Sequence, residues 1–575
     1  MDPLQEDAYG ATNSTAAGDD DDDDSPKIII HPGISDKEKE SVDNRQKRIL
    51  EVLQTSGIKT GKAPVVAVLG SGGGLRAAIA CQGVLGELNC AGILDLTTYL
   101  AGVSGSTWCM SSLYARDNWQ SHLVEAEEEL KVRLQETSWN LDTALKGIWE
   151  AADQLEDYSL TDVWQYSLVY YMTKELLGSS LSQVRAQSEK GVVPYPIFAA
   201  IDNSLLSEWK EKKSLETWFE FTPHVAGYPL PGAYVRTTHF GSKFNGGKLI
   251  KKEKEKDFAY LRALWGSALA DKETTQKTIL HFFLTIFEKY GIRNYLTRIL
   301  FAQYESRDEP DPESDKFLTM LSLDEKEKLN ILEVLHEDHL DQSFPPGEKS
   351  TILTSDSENT FTQISMGDQL YSVGSLFFPF KTWTILKPFW TWTWGSTNNF
   401  LYQHEDLKDK PLEGMESKEK LHLMDAGLAI NSPYPLVLPP VRDTQLILSF
   451  DFSEGDPFET IKATAEYCNA HDIPFPEVDV AKLNREAEAP SDFYIFEGKK
   501  GPVVMHFPLF NKVNCGSRED ISKMANTYRT FQLGQYSQED VHQLLELSKA
   551  NVKNNKEKIM EKIYALAKEA LQSDK

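Results

Sequence analysis

Residues 63–88, APVVAVLGSGGGLRAAIACQGVLGEL, pass from an apolar run through consecutive glycines into a stretch rich in helix formers. Residues 97–115, TTYLAGVSGSTWCMSSLYA, repeat that grammar almost at once. Each reads as a buried strand, a sharp turn and a helix. Two such units so close together predict an α/β fold, a parallel sheet covered by helices. Parallel packing then sets the two turns side by side at one edge of the sheet, where the strands end.

The two turns carry different chemistry. In GSGGGLRA, Gly70–Ala77, a dinucleotide fingerprint would need a glycine where Leu75 stands, and no Walker lysine follows. The stretch is either a plain tight turn or a row of bare backbone N–H groups at a helix start, able to hold a developing oxyanion. In the second turn, Gly102 and Gly105 flank Ser104 in a G-x-S-G-S pattern. It departs from the G-x-S-x-G nucleophile elbow at Ser106. Ser104 reads either as a nucleophile on a strained turn or as the N-cap of an ordinary helix. A nucleophilic serine needs a base. Candidates downstream are Asp425, at the end of an apolar strand and before Ala-Gly, and His471, His506 and His542.

The bulk numbers exclude other classes. The 575 residues carry a formal net charge of −27, so no surplus of lysine and arginine is there to track a nucleic acid. The five cysteines have no C-x-x-C spacing and read as reduced thiols in a cytosolic protein, with neither a disulfide framework nor a metal site. The N-terminus is polar and acidic, unlike a secretory signal, and no apolar run is long enough to span a bilayer. Any membrane contact is expected to be peripheral.

Residues 1–30, with the run Asp19–Asp24, read as a disordered acidic segment, and residues 36–60 as a charged helix. Residues 120–220 are mostly helical in pattern. A polar, acidic stretch at 304–365 followed by aromatic sequence marks an insertion or lid over about 304–395. Sheet grammar resumes at LHLMDAGLAI and TQLILSFDFS. Ser537 and Asp540 form a capping box ahead of a helically spaced run from Val541 to Leu566.

The motifs VLGSGGGLRA, YLAGVSGSTW, PYPIFAAIDN, WFEFTP, GSKF, MDAGLAINSPYPLVLPP and LILSFDFS resemble, in this order, the group IV cytosolic phospholipases A2. The likeness is strongest to the gamma type, which lacks a calcium-binding C2 domain, and it runs from about residue 30 to near the end. The resemblance implies a patatin-like lysophospholipase fold with a central, mostly parallel sheet, filled by one catalytic domain over 31–575. It implies a Ser–Asp dyad, with Ser104 as nucleophile and Asp425 as base. Gly73 and Gly74 match the oxyanion hole, Arg76 an arginine that meets the substrate phosphate, and Arg442 a second such arginine. The implied substrates are glycerophospholipids and lysophospholipids at a membrane or micelle surface, with no cofactor. The chain before Val65 is too short and too polar for a C2 domain, and the final LQSDK is no prenylation box. Calcium-independent hydrolysis by a cytosolic, peripherally associated enzyme is therefore expected. Acyl transfer between lipids, a catalytically silent lipid binder, and a triad using His506 are the competing readings.

A carboxylate near pKa 4 is a weak base for a serine hydroxyl, and burial in a dry cleft would strengthen it. Two further stretches bear on lipid. The aromatic run Phe377–Trp394 fits either a half-buried strand or a segment that meets lipid. KLIKKEKEK, Lys248–Lys256, fits either a solvated loop or a contact for anionic headgroups.

Overall fold

The computed structural model describes residues 28–31, 33–136, 139–267, 393–407, 414–530 and 536–573, with Pro388 and Leu412 besides. The insertion expected at 304–395 lies outside them except at its last residues. There Trp394 is buried, its ring edge-on to Trp164 at 5.7 Å. The chain divides into two compact units, Met1–Gly147 with Thr161–Ala268 and Trp394–Lys575 in one, Ile148–Leu160 with Leu269–Thr393 in the other. Every strand below belongs to the first.

Among the described residues, twelve strands share one sheet. Its centre is β2 (Val66–Gly70), β3 (Tyr99–Gly102), β4 (Tyr195–Asp202), β12 (Leu446–Asp451) and β14 (Val503–Pro508), all parallel, in the order β4-β3-β2-β12-β14. β2, β3 and β4 are buried at every residue, as strands covered on both faces must be, so they read as unbroken apolar runs rather than alternating ones. Beyond β4 the sheet continues antiparallel through β5 (Trp218–Phe221), β6 (Val225–Tyr228) and β7 (Ala233–Arg236) to β1 (Ile28–Ile30). β13 (Tyr494–Phe496) closes the other edge on β14. Ile28–Ile30 thus belong to the sheet and not to the acidic segment expected over 1–30, because three consecutive isoleucines supply the apolar edge that β7 requires. Residues 1–27 lie outside the description.

Helix α1 (Asp36–Thr55) is capped by Ser35, whose hydroxyl accepts the Glu38 N–H. α2 (Gly74–Cys90) and α3 (Gly105–Tyr114) leave the ends of β2 and β3, as the two glycine-marked units predict. Gly83 lets the helix Gln538–Lys553 press onto α2, because a Cβ there would stand 2.2 Å from Ser548 Oγ and 2.9 Å from Leu545 O. That outer helix opens on the expected Ser537–Asp540 box. The helically spaced run to Leu566 is divided between two helices, with a break at Asn554 before Lys556–Ser573.

Candidate active site

β3 ends at Gly102, and the chain turns through Ser104 into α3. Ser104 has φ 51° and ψ −122°, a conformation that costs a non-glycine residue about 1–3 kcal/mol and persists only where its surroundings impose it. They do so by close approach of the two turns. A Cβ on Gly105 would lie 1.9 Å from Gly74 O, and one on Gly72 would lie 2.9 Å from Ser104 Cβ. Ser106, where the elbow pattern would have glycine, points inward: its hydroxyl donates to Ser71 O at 2.6 Å and fastens the serine turn to the glycine turn. The pattern thus keeps its glycine where backbones touch, one residue earlier.

Gly73 and Gly74 open α2 with φ of 156° and 59°. The first N–H groups of a helix have no partner within it and lie at its positive end; the Gly74 backbone packs against the serine turn, its N 2.9 Å from where a Gly105 Cβ would stand. Gly72 is held from outside the turn. Its N–H donates to Asn431 O at 3.0 Å and its carbonyl accepts from Asn431 Nδ2 at 3.2 Å. Asn431 Nδ2 also donates to Ser453 Oγ, and Asn431 Oδ1 sits 2.9 Å from where a Gly427 Cβ would stand. Sequence reasoning passed over Asn431, although it lies in the MDAGLAINSP stretch, six residues after Asp425.

Asp425 is fully buried. It ends β11 (Lys420–Asp425), accepts the Gly427 N–H on Oδ1 at 2.8 Å and donates its own N–H to Ser267 Oγ. The strand register fixes its place. One edge of β4 pairs with β5 over Phe198–Ile201. The other edge receives β3 up to Phe198, opposite Gly102, and then β11 from Ala200, opposite Asp425. β3 running up and β11 running down therefore meet end to end on a shared rail. Their last residues lie opposite positions two apart, about 7 Å along the strand. Asp425 thus ends its strand close beyond Gly102, the last residue of β3 before the serine turn.

His506 is elsewhere. It sits on β14, three strands and so about 14 Å across the sheet from β3. Its Nε2 lies 2.8 Å from Pro457 O, and burial pushes its pKa down. His471 Nε2 meets Lys213 O at 2.6 Å, and His542 is exposed on the outer helix.

A lysophospholipase catalytic domain matches residues 66–272, which span both turns and β4. Mouse cytosolic phospholipase A2 gamma is 43% identical over 566 residues, 93% of this chain and 92% of that one. The human gamma protein is 45% identical over 553 residues, 94% of this chain and 97% of its own length. The chain belongs to the cytosolic phospholipase A2 family. It is a hydrolase of that family. The solved human GIVD cytosolic phospholipase A2 shares its fold, with a TM-score of 0.65 at 22% identity over 95% of this chain and 69% of that one.

Within this phospholipase fold the two arginines sit differently. Arg76, two residues past Gly74, is buried with Nη2 2.9 Å from where a Gly73 Cβ would stand. It donates to Phe452 O, Tyr528 O and Thr530 Oγ1, and Nη1 is 3.8 Å from Glu454. Arg442 does not join the site. It is buried over the ring of Tyr99, the first residue of β3, at the opposite end of that strand from Ser104. Nε and Nη2 bind Glu38; Nη1 and Nη2 bind Glu220; Nη1 also reaches Leu436 O. Those bonds occupy all five guanidinium N–H groups, so none is left for a phosphate.

Proposed function

We propose that the chain hydrolyses the fatty-acyl ester of glycerophospholipids, and of lysophospholipids, through a Ser104–Asp425 dyad. The observation that supports this reading is the meeting of β3 and β11 on β4, with a buried carboxylate ending one strand and a strained serine following the other. Ser104 Oγ attacks the ester carbonyl carbon while Asp425 takes the hydroxyl proton. The Gly73 and Gly74 N–H groups receive the tetrahedral oxyanion, an interaction worth about 3 kcal/mol per donor. Collapse breaks the ester C–O bond, and the departing alcohol takes the proton from Asp425. Water then attacks the acyl-serine with Asp425 as base again, releasing the fatty acid and restoring Ser104. Every role falls to a protein group, so the chemical step draws on no calcium. The protein works from the cytosol on a lipid surface that it touches peripherally.

Arg76 anchors the substrate phosphate in this reading. Its hydrogen-bond partners, Phe452 O, Tyr528 O and Thr530 Oγ1, are all neutral acceptors, over which a phosphate has the added attraction of opposite charge and a geometry matched to the guanidinium fork. Arg442 is a structural brace.

The test is product analysis by mass spectrometry after incubation with mixed-chain phosphatidylcholine vesicles, Ser104→Ala beside wild type. Free fatty acid from wild type alone is expected. Equal products from both proteins would leave a lipid binder, and acyl chains moved onto a second lipid would make the protein a transacylase. The chelator EGTA is expected to leave hydrolysis of a monomeric ester unchanged; loss of that rate would overturn the calcium-independent step.

Arg76→Lys keeps the charge and loses the planar fork. Its rate on phospholipid is expected to fall about 10-fold or more, the worth of a charge-assisted bond. The rate on a small phosphate-free ester should change far less. An equal fall on both substrates would reduce Arg76 to a brace of the turn.

A further inference from the structure

We infer that the hairpin formed by β8 (Lys243–Asn245) and β9 (Lys248–Lys251) docks the protein onto anionic lipid, with Ile250 entering the headgroup boundary and Lys248 and Lys254 meeting lipid phosphates. The inference rests on the lipid-surface reading above and names the element and the lipid charge that serve it.

The hairpin is a two-stranded sheet of its own, turned by Gly246 and Gly247 with φ of 56° and 77°. Both positive values are what the tight two-residue turn requires. One face is pinned to the protein. Phe244 is buried, the Gly246 N–H donates to Tyr402 O, and Asn398 Nδ2 donates to Gly241 O just before β8. The other face is not covered by the described residues. Lys248 and Ile250 share it by the alternation of a strand, and Ile250 is 61% exposed.

The charges are sorted by direction. Glu255 turns inward, accepting from Ser182 N and Oγ. Asp257 caps the next helix by accepting the Tyr260 N–H. Glu253 pairs with Lys251. The acids of the segment are thus engaged locally, while Lys248 and Lys254 lie exposed. A chain with 87 acidic and 60 basic residues is repelled as a whole by anionic lipid. A local cationic edge around an exposed aliphatic side chain is what would overcome that repulsion.

Position agrees. β10 (Ser396–Asn398) pairs with the start of β11, Asn398 opposite Lys420. The hairpin touches that region through Asn398 and through Lys243, 3.4 Å from Glu419. Lys420 lies five residues, about 16 Å, beyond Asp425 along β11, past the edge of the sheet where β3 ends. The exposed hairpin therefore stands out from the end of the sheet that bears Ser104 and Asp425. A bilayer met by Ile250 would face that end.

The test is co-sedimentation with sucrose-loaded phosphatidylcholine vesicles, with and without phosphatidylserine. Circular dichroism confirms the fold of each variant. Lys248→Ser with Lys254→Ser should weaken binding to the anionic vesicles about 25-fold at low salt, roughly fivefold per lysine, with little change on neutral vesicles. Ile250→Ser should weaken binding to both by about tenfold. Variants that sediment with anionic vesicles as wild type does would overturn the inference, as would a wild type that sediments with neither. Sedimentation reads binding without turnover, so the two readings fail separately. Hydrolysis of a monomeric ester without hairpin-dependent binding removes only the docking element. Hairpin-dependent binding without hydrolysis by wild type removes only the catalytic reading.

Discussion

Ser104→Ala and Asp425→Ala should each lower ester hydrolysis by about 10⁴-fold or more while the protein stays folded. The two losses should not add, because nucleophile and base of the proposed dyad work as one unit: the double variant falls to about the level of either single one. Asp425→Asn is the sharper probe. It keeps an oxygen for the Gly427 N–H and so preserves the turn, but it cannot take a proton. Its activity should be lost with the melting curve little changed. His506→Asn should keep most of the rate, since three strand spacings separate it from β3. Substantial turnover by folded Asp425→Asn would sink the dyad, and a His506→Asn loss as deep as that of Ser104→Ala would restore the triad.

Arg442→Met should cost about 3–5 kcal/mol of stability, because it leaves Glu38 and Glu220 buried without their common cation. The cost has a pH signature. Burial is the largest cause holding the Glu220 carboxyl above its ordinary range, and Arg442 opposes it. Without the guanidinium, the folded chain retains a proton there that the unfolded chain releases above about pH 4.3. The folded state then binds more protons than the unfolded one, so stability of the variant falls as pH rises through that window and is best kept on the acid side. Adding Glu38→Gln and Glu220→Gln should recover much of the loss. Denaturant titrations at two pH values check both points. A phosphate-binding Arg442 would behave otherwise: phospholipid turnover would drop while stability held.

The parts of this molecule written in short-range sequence were legible. β2 and β3 announce themselves because glycines and helix formers follow within a few residues, and Ser104 and Asp425 stand at marked strand ends. β4 was hidden inside a stretch that reads as mostly helical, because a strand buried on both faces shows no alternation to betray it. Ser106 looked like a flaw in the elbow until its hydroxyl was seen fastened to Ser71 O. Arg442 could not be read from its neighbours at all. Its carboxylate partners lie 404 and 222 residues away, and only the folded sheet brings them under it. Asn431 was missed for a similar reason, since Gly72, which it holds on both sides, is 359 residues distant. The α/β class followed from local grammar, whereas the antiparallel strands flanking the parallel centre depend on pairings that no local pattern specifies.

The shared rail on β4 also sets a clock. Ser104 and Asp425 are 321 positions apart in the chain, and a ribosome adds about 5–20 residues per second. The serine turn and its glycine neighbour can therefore assemble roughly 15–60 s before the carboxylate has been made. From the completion of β4 until β11 is made, β4 offers an unpaired edge just above β3, and in the proposed dyad Ser104 stands without its base. On the dyad proposed above, synthesis itself delays activity until β11 takes its place beside β4.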